Sequence, residues 1–207
     1  MLGQRPRHVP STGTLVRLIL GCLLAFAIAA VIGLGLTWLA LSRGTAFSAV
    51  TIGAWTAWPR TGTQDADPYA RASIARSGEL PIASGDGVTF LARTDDNGRA
   101  LDGRCDVTLT GITPQARFWT VTLYDPQGRL VANSIDRYGF TSQEIVRRAD
   151  GSFEIAIAPR ARPGNWLPTG GIESYVLLLR LYDTPVGVAT RAAREAPMPA
   201  ITVRACQ

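Results

Sequence analysis

From Leu18 to Ser42 the chain carries no charged residue, and about 20 apolar residues suffice to cross the hydrocarbon core of a bilayer. Such a segment must satisfy every backbone group internally, so it is predicted to form a transmembrane helix, in which Gly21, Gly33, Gly35 and Thr37 are tolerated. Gly33 and Gly35 lack the four-residue spacing of a close-packing motif. Gly21 and Ala25 have it, but such pairs arise by chance in apolar segments and read as lipid-facing filler. Arg5, Arg7 and Arg17 precede the segment and only Arg43 and Arg60 follow within reach, which predicts a cytoplasmic N-terminus. Trp38, Trp55 and Trp58 are expected as interfacial anchors, where indoles prefer to sit. The run exceeds the apolar core of about 7 to 15 residues found in cleavable signals, which favours an uncleaved signal anchor; the alternative is cleavage after Ser48 or Ala49.

The same arginines account for most of the net charge. All 21 basic residues are arginines, against 16 acids, for a formal charge of +5. Arg5, Arg7, Arg17 and Arg43 precede every acid, so the chain beyond them is close to neutral. No basic face is left to bind nucleic acid, and no nucleic-acid partner is expected. The stretch Ile19-Leu20-Gly21-Cys22 has the look of a lipoprotein lipidation box, but too few apolar residues separate Arg17 from Cys22 to form a signal core. The remaining cysteines are Cys105 and Cys206. In an exported domain such a pair points to a disulfide, against the alternative of two unpaired core residues.

Residues 44–66 mix Gly, Thr, Ala, Ser and Trp without a sustained period and read as a linker. Asp67 and Pro68 suit the N-cap and first position of a short helix through Arg76, ended by Gly78. Beyond it the punctuation is that of strands. Val88–Arg93 leads into a hairpin tip at Asn97-Gly98, where Asp95 loosely echoes a calcium loop that lacks its bidentate glutamate, position 104 being Arg104. Val107–Thr110, Phe118–Tyr124 and Phe153–Ile157 alternate, Tyr175–Tyr182 is nearly continuous and apolar, and Ala200–Arg204 supplies a last short strand. The expected fold is mainly β: a jelly-roll-like antiparallel sandwich preceded by a short helix and one transmembrane helix. The division follows as a cytoplasmic tail (1–17), a signal-anchor helix (18–42), a juxtamembrane linker (43–66) and the β-sandwich domain (67–207).

Four strings, Arg117-Phe118-Trp119-Thr120-Val121-Thr122-Leu123-Tyr124-Asp125, Arg137-Tyr138-Gly139-Phe140, Pro163-Gly164-Asn165-Trp166-Leu167-Pro168 and Leu179-Arg180-Leu181-Tyr182-Asp183-Thr184-Pro185, resemble the bacterial family called domain of unknown function 1214. The resemblance spans roughly residues 68 to 205. It implies a jelly-roll-like domain of exported bacterial proteins with no established activity, and hence an inner-membrane chain with its β domain in the periplasm. Larger relatives carry a companion domain, numbered 1254, ahead of this one. The resemblance therefore suggests a separate companion-domain envelope protein as a partner, besides the lipid bilayer itself.

Absences narrow the chemistry. The only histidine is His8, in the N-terminal tail, and there is no lysine. Histidine triads, histidine-ligated metals, Schiff bases and Walker-type phosphate binding are thereby excluded from the outer domain, and no cofactor or metal is expected. Carboxylate chemistry survives, as in glycoside hydrolysis by two acids. Its candidates are Asp86, Asp125, Asp136, Glu144, Glu154, Glu173 and Asp183, although Asp125 and Asp183 stand where aspartate usually satisfies turn amides. The more suggestive segment is the proline-bounded loop Pro159–Pro168. Arg160, Arg162, Asn165 and Trp166 there suit a small anionic or saccharide ligand, since guanidinium forks bind anions and indoles stack on sugar rings. Arg180 and Tyr182 complete the candidate set, and Arg117, Arg137 and Tyr138 join it only if the fold brings their loops together. The competing reading makes Trp166 a plug at the sandwich end and Asn165 a turn cap. A non-catalytic binding module is the leading expectation, and a carboxylate-dependent enzyme on envelope glycans the alternative.

Overall fold

A computed structural model describes residues 12–42, 49–64, 66–77, 81–83, 85–187 and 196–206. The chain divides into two units, Met1–Gly44 and Thr45–Gln207. In the first, the uncharged run lies within a single helix, α1 (Thr12–Ser42), of 31 residues. At 1.5 Å per residue it extends about 46 Å, long enough and apolar enough to cross a membrane, which suits an anchor or a signal sequence. The tail arginines Arg5 and Arg7, Arg43 and the cleavage stretch before Ala49 lie outside the described residues.

The second unit is mainly β. Its elements are β1 (Val50–Ile52), β2 (Trp55–Ala57), α2 (Pro68–Ser77), β3 (Gly87–Ala92), β4 (Cys105–Gly111), β5 (Phe118–Tyr124), β6 (Gly139–Thr141), β7 (Phe153–Ala158), β8 (Asn165–Pro168), β9 (Val176–Tyr182) and β10 (Ala200–Cys206). A six-stranded sheet runs β1-β2-β3-β9-β5-β6 and a four-stranded sheet runs β10-β4-β7-β8. Pairing is antiparallel except between β7 and β8, which run parallel. The alternation in β5 sorts Trp119, Val121 and Leu123 inward, all at most 2% exposed, and leaves Phe118, Thr120, Thr122 and Tyr124 on the outer face. Trp119 meets Phe153 of β7 across the interior with ring centroids 5.1 Å apart, so the two sheets share one apolar core. Each large side chain sealed there contributes about 1.5–3 kcal/mol by leaving water.

α2 begins as its sequence requires. The Asp67 carboxylate accepts from the backbone N–H groups of Tyr69 and Ala70, both at 3.0 Å, which satisfies two orphan donors of the first turn. Gly78 lies outside the described residues. Cys105 and Cys206 are disulfide-bonded, joining strands β4 and β10 where they pair directly.

Two segments depart from the sequence reading. Residues 50–57, expected within the linker, form the β1–β2 hairpin and extend the larger sheet. Trp55 is fully buried there, with its indole N–H donating to Pro199 O at 2.8 Å, so it is a core residue and not a membrane anchor. Three-residue strands are too short to display a period, which is why composition alone suggested a linker. Asn165–Pro168, expected as loop, is the edge strand β8; Leu167 and Pro168 are buried, and proline at a strand end gives up no ladder bond.

Exposed strand edges invite unwanted pairing, and side chains occupy edge groups on three strands here. On β10, Ile201 N–H and C=O bond to the Asp96 carboxylate and backbone N–H at 2.7 and 3.0 Å, while Arg99 reaches Val203 O at 3.1 Å. Glu144 accepts Thr141 N–H on β6, and Arg137 donates to Trp166 O on β8. Asp95, at the predicted hairpin tip, has a fully buried carboxylate that accepts from Asn97 N, Arg99 N and Arg99 Nε. Burial pushes its carboxyl pKa up, but the hydrogen bonds from Arg99, Val203 and Asn97 outweigh that and hold it below the usual range. The calcium echo is thus a turn anchor.

Candidate functional site

The sequence candidates separate into two regions. Asn165 at the start of β8 is buried and saturated: its Oδ1 accepts Val146 N–H at 2.9 Å, and its Nδ2 donates to Val146 O and Glu154 O at 2.8 Å each. Trp166 directs its indole N–H to Ala158 O at 3.0 Å. Arg162 forms an ion pair with Asp106 of β4, whereas Arg160 is exposed. Arg137 does reach this region, donating to Trp166 O at 3.1 Å with its guanidinium 5.2 Å above the Phe140 ring. Tyr138 instead turns to Asp136, and the hydrogen bond to that carboxylate raises the phenol pKa. These contacts bind strands and loops to one another.

The second region lies at one end of the outer face of the larger sheet. Phe118 and Tyr182 are opposed residues of β5 and β9, with ring centroids 5.8 Å apart. Beside them opens a groove of about 510 Å³ lined by Gly85, Asp86, Arg117, Phe118, Gln143, Tyr182 and Asp183. The volume lies in the range of small-molecule pockets. Its walls converge because three strand ends meet. Asp183 N–H donates to Asp86 O at 2.8 Å, and Arg117 N–H donates to the carbonyls of Tyr182 and Asp183 at 3.1 and 3.3 Å. Gly87 permits the closest approach: a Cβ there would stand 2.1 Å from Leu181 O. Asp183 itself adopts φ 49°, a left-handed conformation that aspartate tolerates better than most residues.

The groove unites Asp86 and Asp183 from the carboxylate candidates with Tyr182 from the ligand candidates and with Arg117. Arg117 stands 4.0 Å from the Asp183 carboxylate, both groups being largely exposed. Arg180, two residues before Tyr182 on the same face, is committed elsewhere: it donates to Tyr124 Oη at 3.1 Å and lies over that ring. Phe118 and Gln143 were not singled out from the sequence as ligand groups. The signal for Phe118 was the outward set of β5, but only the β5–β9 register shows that it faces Tyr182. Gln143, just after β6, offered no signal. Among the described residues no group of three or more histidine, cysteine, aspartate or glutamate side chains is placed to hold a metal ion.

The family described as "Protein of unknown function (DUF1214)" matches residues 86–186. This segment is a DUF1214 domain. It begins at Asp86 in the groove and ends three residues beyond Asp183. No curated protein matches. Among solved structures, the chain is similar to the VPA0106 protein of Vibrio parahaemolyticus at 19% identity and a TM-score of 0.57, over 97% of this chain and 48% of that one. It is also similar to an uncharacterized protein of Burkholderia cenocepacia at 16% identity and a TM-score of 0.39, over 86% and 52%. The first likeness is one of fold, and the chain spans about half the length of each of these structures.

Proposed function

We propose that this DUF1214 chain is a non-catalytic binding module, anchored in the bacterial inner membrane by α1 with its β unit in the periplasm, and that the Phe118–Tyr182 groove holds a small ligand. The arginine excess ahead of the helix supports the orientation. One observation carries the binding reading: in the groove, two aromatic rings and the side chains of Asp86 and Gln143 border open space with no protein hydrogen bond to the latter two among the described residues. In the Arg162–Trp166 region the corresponding groups are already spent on protein contacts.

A thermal-shift panel on the full chain in a non-ionic polyoxyethylene detergent, with envelope sugars, amines and acidic metabolites, tests it. Ligand at 100 times its Kd adds about 2.7 kcal/mol, a shift of several degrees. Tyr182→Ala abolishes that shift and Trp166→Ala keeps it; a flat panel contradicts the reading. The pairing of Asp86 and Asp183 on one groove favours carboxylate-dependent glycan hydrolysis as the second reading. Glycan turnover lost in both Asp86→Asn and Asp183→Asn establishes that reading instead. A separate companion-domain protein is the proposed macromolecular partner, tested by co-purification with the full chain.

A further inference from the structure

The groove that we propose as the binding site has a charge imbalance that selects among ligands. Among the described residues, Asp86 and Asp183 bring two carboxylates to its wall and Arg117 is its one cation, 4.0 Å from Asp183. Arg180, the next cation along the same face, is held over Tyr124. An anionic ligand therefore meets net repulsion. A ligand carrying a positive charge meets the Asp86 carboxylate, which has no ion-pair partner among the described residues, and two rings, Phe118 and Tyr182; the quadrupole of such a ring attracts cations within about 6 Å.

Resting on that reading of the groove, we infer that its ligand carries an organic ammonium group, the ammonium lying between the Phe118 and Tyr182 rings and the Asp86 and Asp183 carboxylates. Gln143 supplies an amide for a neighbouring hydroxyl or carbonyl of the same molecule. The chemistry is common to an amino sugar, a polyamine and an ethanolamine headgroup. At about 510 Å³ the groove accommodates a single pyranose ring or a short amine chain.

The test uses one ring in three charge states. Glucosamine, N-acetylglucosamine and glucuronate are titrated calorimetrically into the full chain in polyoxyethylene detergent, slightly below neutral pH, which keeps the glucosamine amine protonated. Spermidine and free ethanolamine form parallel arms that distinguish the sources of the ammonium. The inference predicts binding of glucosamine or of one of the two amines, weakened about fivefold by Asp86→Asn and by Asp183→Asn, in line with one exposed charge contact. Arg117→Ala strengthens the same binding, and added salt weakens it. Tightest binding by glucuronate, lost in Arg117→Ala, overturns the ammonium and leaves the groove as a site. Equal binding of all three pyranoses, indifferent to the charge variants but lost in Tyr182→Ala, does the same. Absence of binding by every probe overturns both the ammonium and the groove.

Discussion

The Arg162–Trp166 region and the Phe118–Tyr182 groove are built from the same kinds of side chain, but they use them differently. In the first, the polar groups are engaged by the protein itself: Asn165 makes three hydrogen bonds to backbone, Trp166 bonds Ala158 O, and Arg162 pairs with Asp106. In the second, aromatic and charged groups border open space. A composition rich in arginine, asparagine and tryptophan is thus a poor guide to binding until hydrogen-bond satisfaction is known. Substitutions in the first region are expected to move stability and leave binding alone, and those in the groove to do the reverse.

The largest effect belongs to the scaffold. Replacing Cys105 and Cys206 together by serine removes a bridge across a sequence separation of 101 and costs about 4–5 kcal/mol by loop entropy, read as a lowered midpoint of chemical denaturation. Asn165→Leu strands Val146 N–H, Val146 O and Glu154 O and costs about 2–3 kcal/mol, with binding in the groove unchanged once the protein is folded. If Asn165→Leu folds stably and loses the ligand, the comparison is broken.

Groove variants show the opposite balance. Tyr182→Ala weakens ligand at least tenfold, about 1.4 kcal/mol, in calorimetric titration, while far-ultraviolet circular dichroism stays native. Asp183→Gly is the sharper case: it relieves the left-handed backbone, which costs an ordinary residue about 1–2 kcal/mol, against about 0.5–1 kcal/mol of added chain entropy, and so raises stability slightly while it removes a ligand carboxylate. A stabilised protein with impaired binding is the expected pair of results.

The smallest effect is electrostatic. Hydrogen bonds from Arg104 hold the Asp102 carboxyl pKa at about 2, below its unfolded value near 3.9. A depressed carboxylate contributes stability that is fully present above the unfolded pKa and is lost as pH falls through the folded one. The contribution therefore fades between about pH 4 and pH 2, and Asp102→Asn flattens that limb of an acid-denaturation curve without touching the groove.

Much of the scaffold is legible in the sequence because it is local. β5 falls at Phe118–Tyr124 as its alternation indicates, Asp67 caps α2, and the helix-forming run is unmistakable by length alone. The β1–β2 hairpin was not legible, since Trp55 gains its place only from β3 and from Pro199, 144 residues away. The groove was half legible. Asp86, Arg117, Tyr182 and Asp183 each carried a chemical signal, but their convergence depends on β3 and β5 flanking β9, a tertiary fact that no short window contains. Asn165 and Trp166 show the reverse: a conspicuous string whose side chains the fold consumes.

The most direct measurement is a side-by-side calorimetric titration of the full chain, Tyr182→Ala and Trp166→Ala with the compound that gives the largest thermal shift. The account predicts that binding is lost in Tyr182→Ala and kept in Trp166→Ala. Binding that survives in Tyr182→Ala and disappears in Trp166→Ala would contradict it.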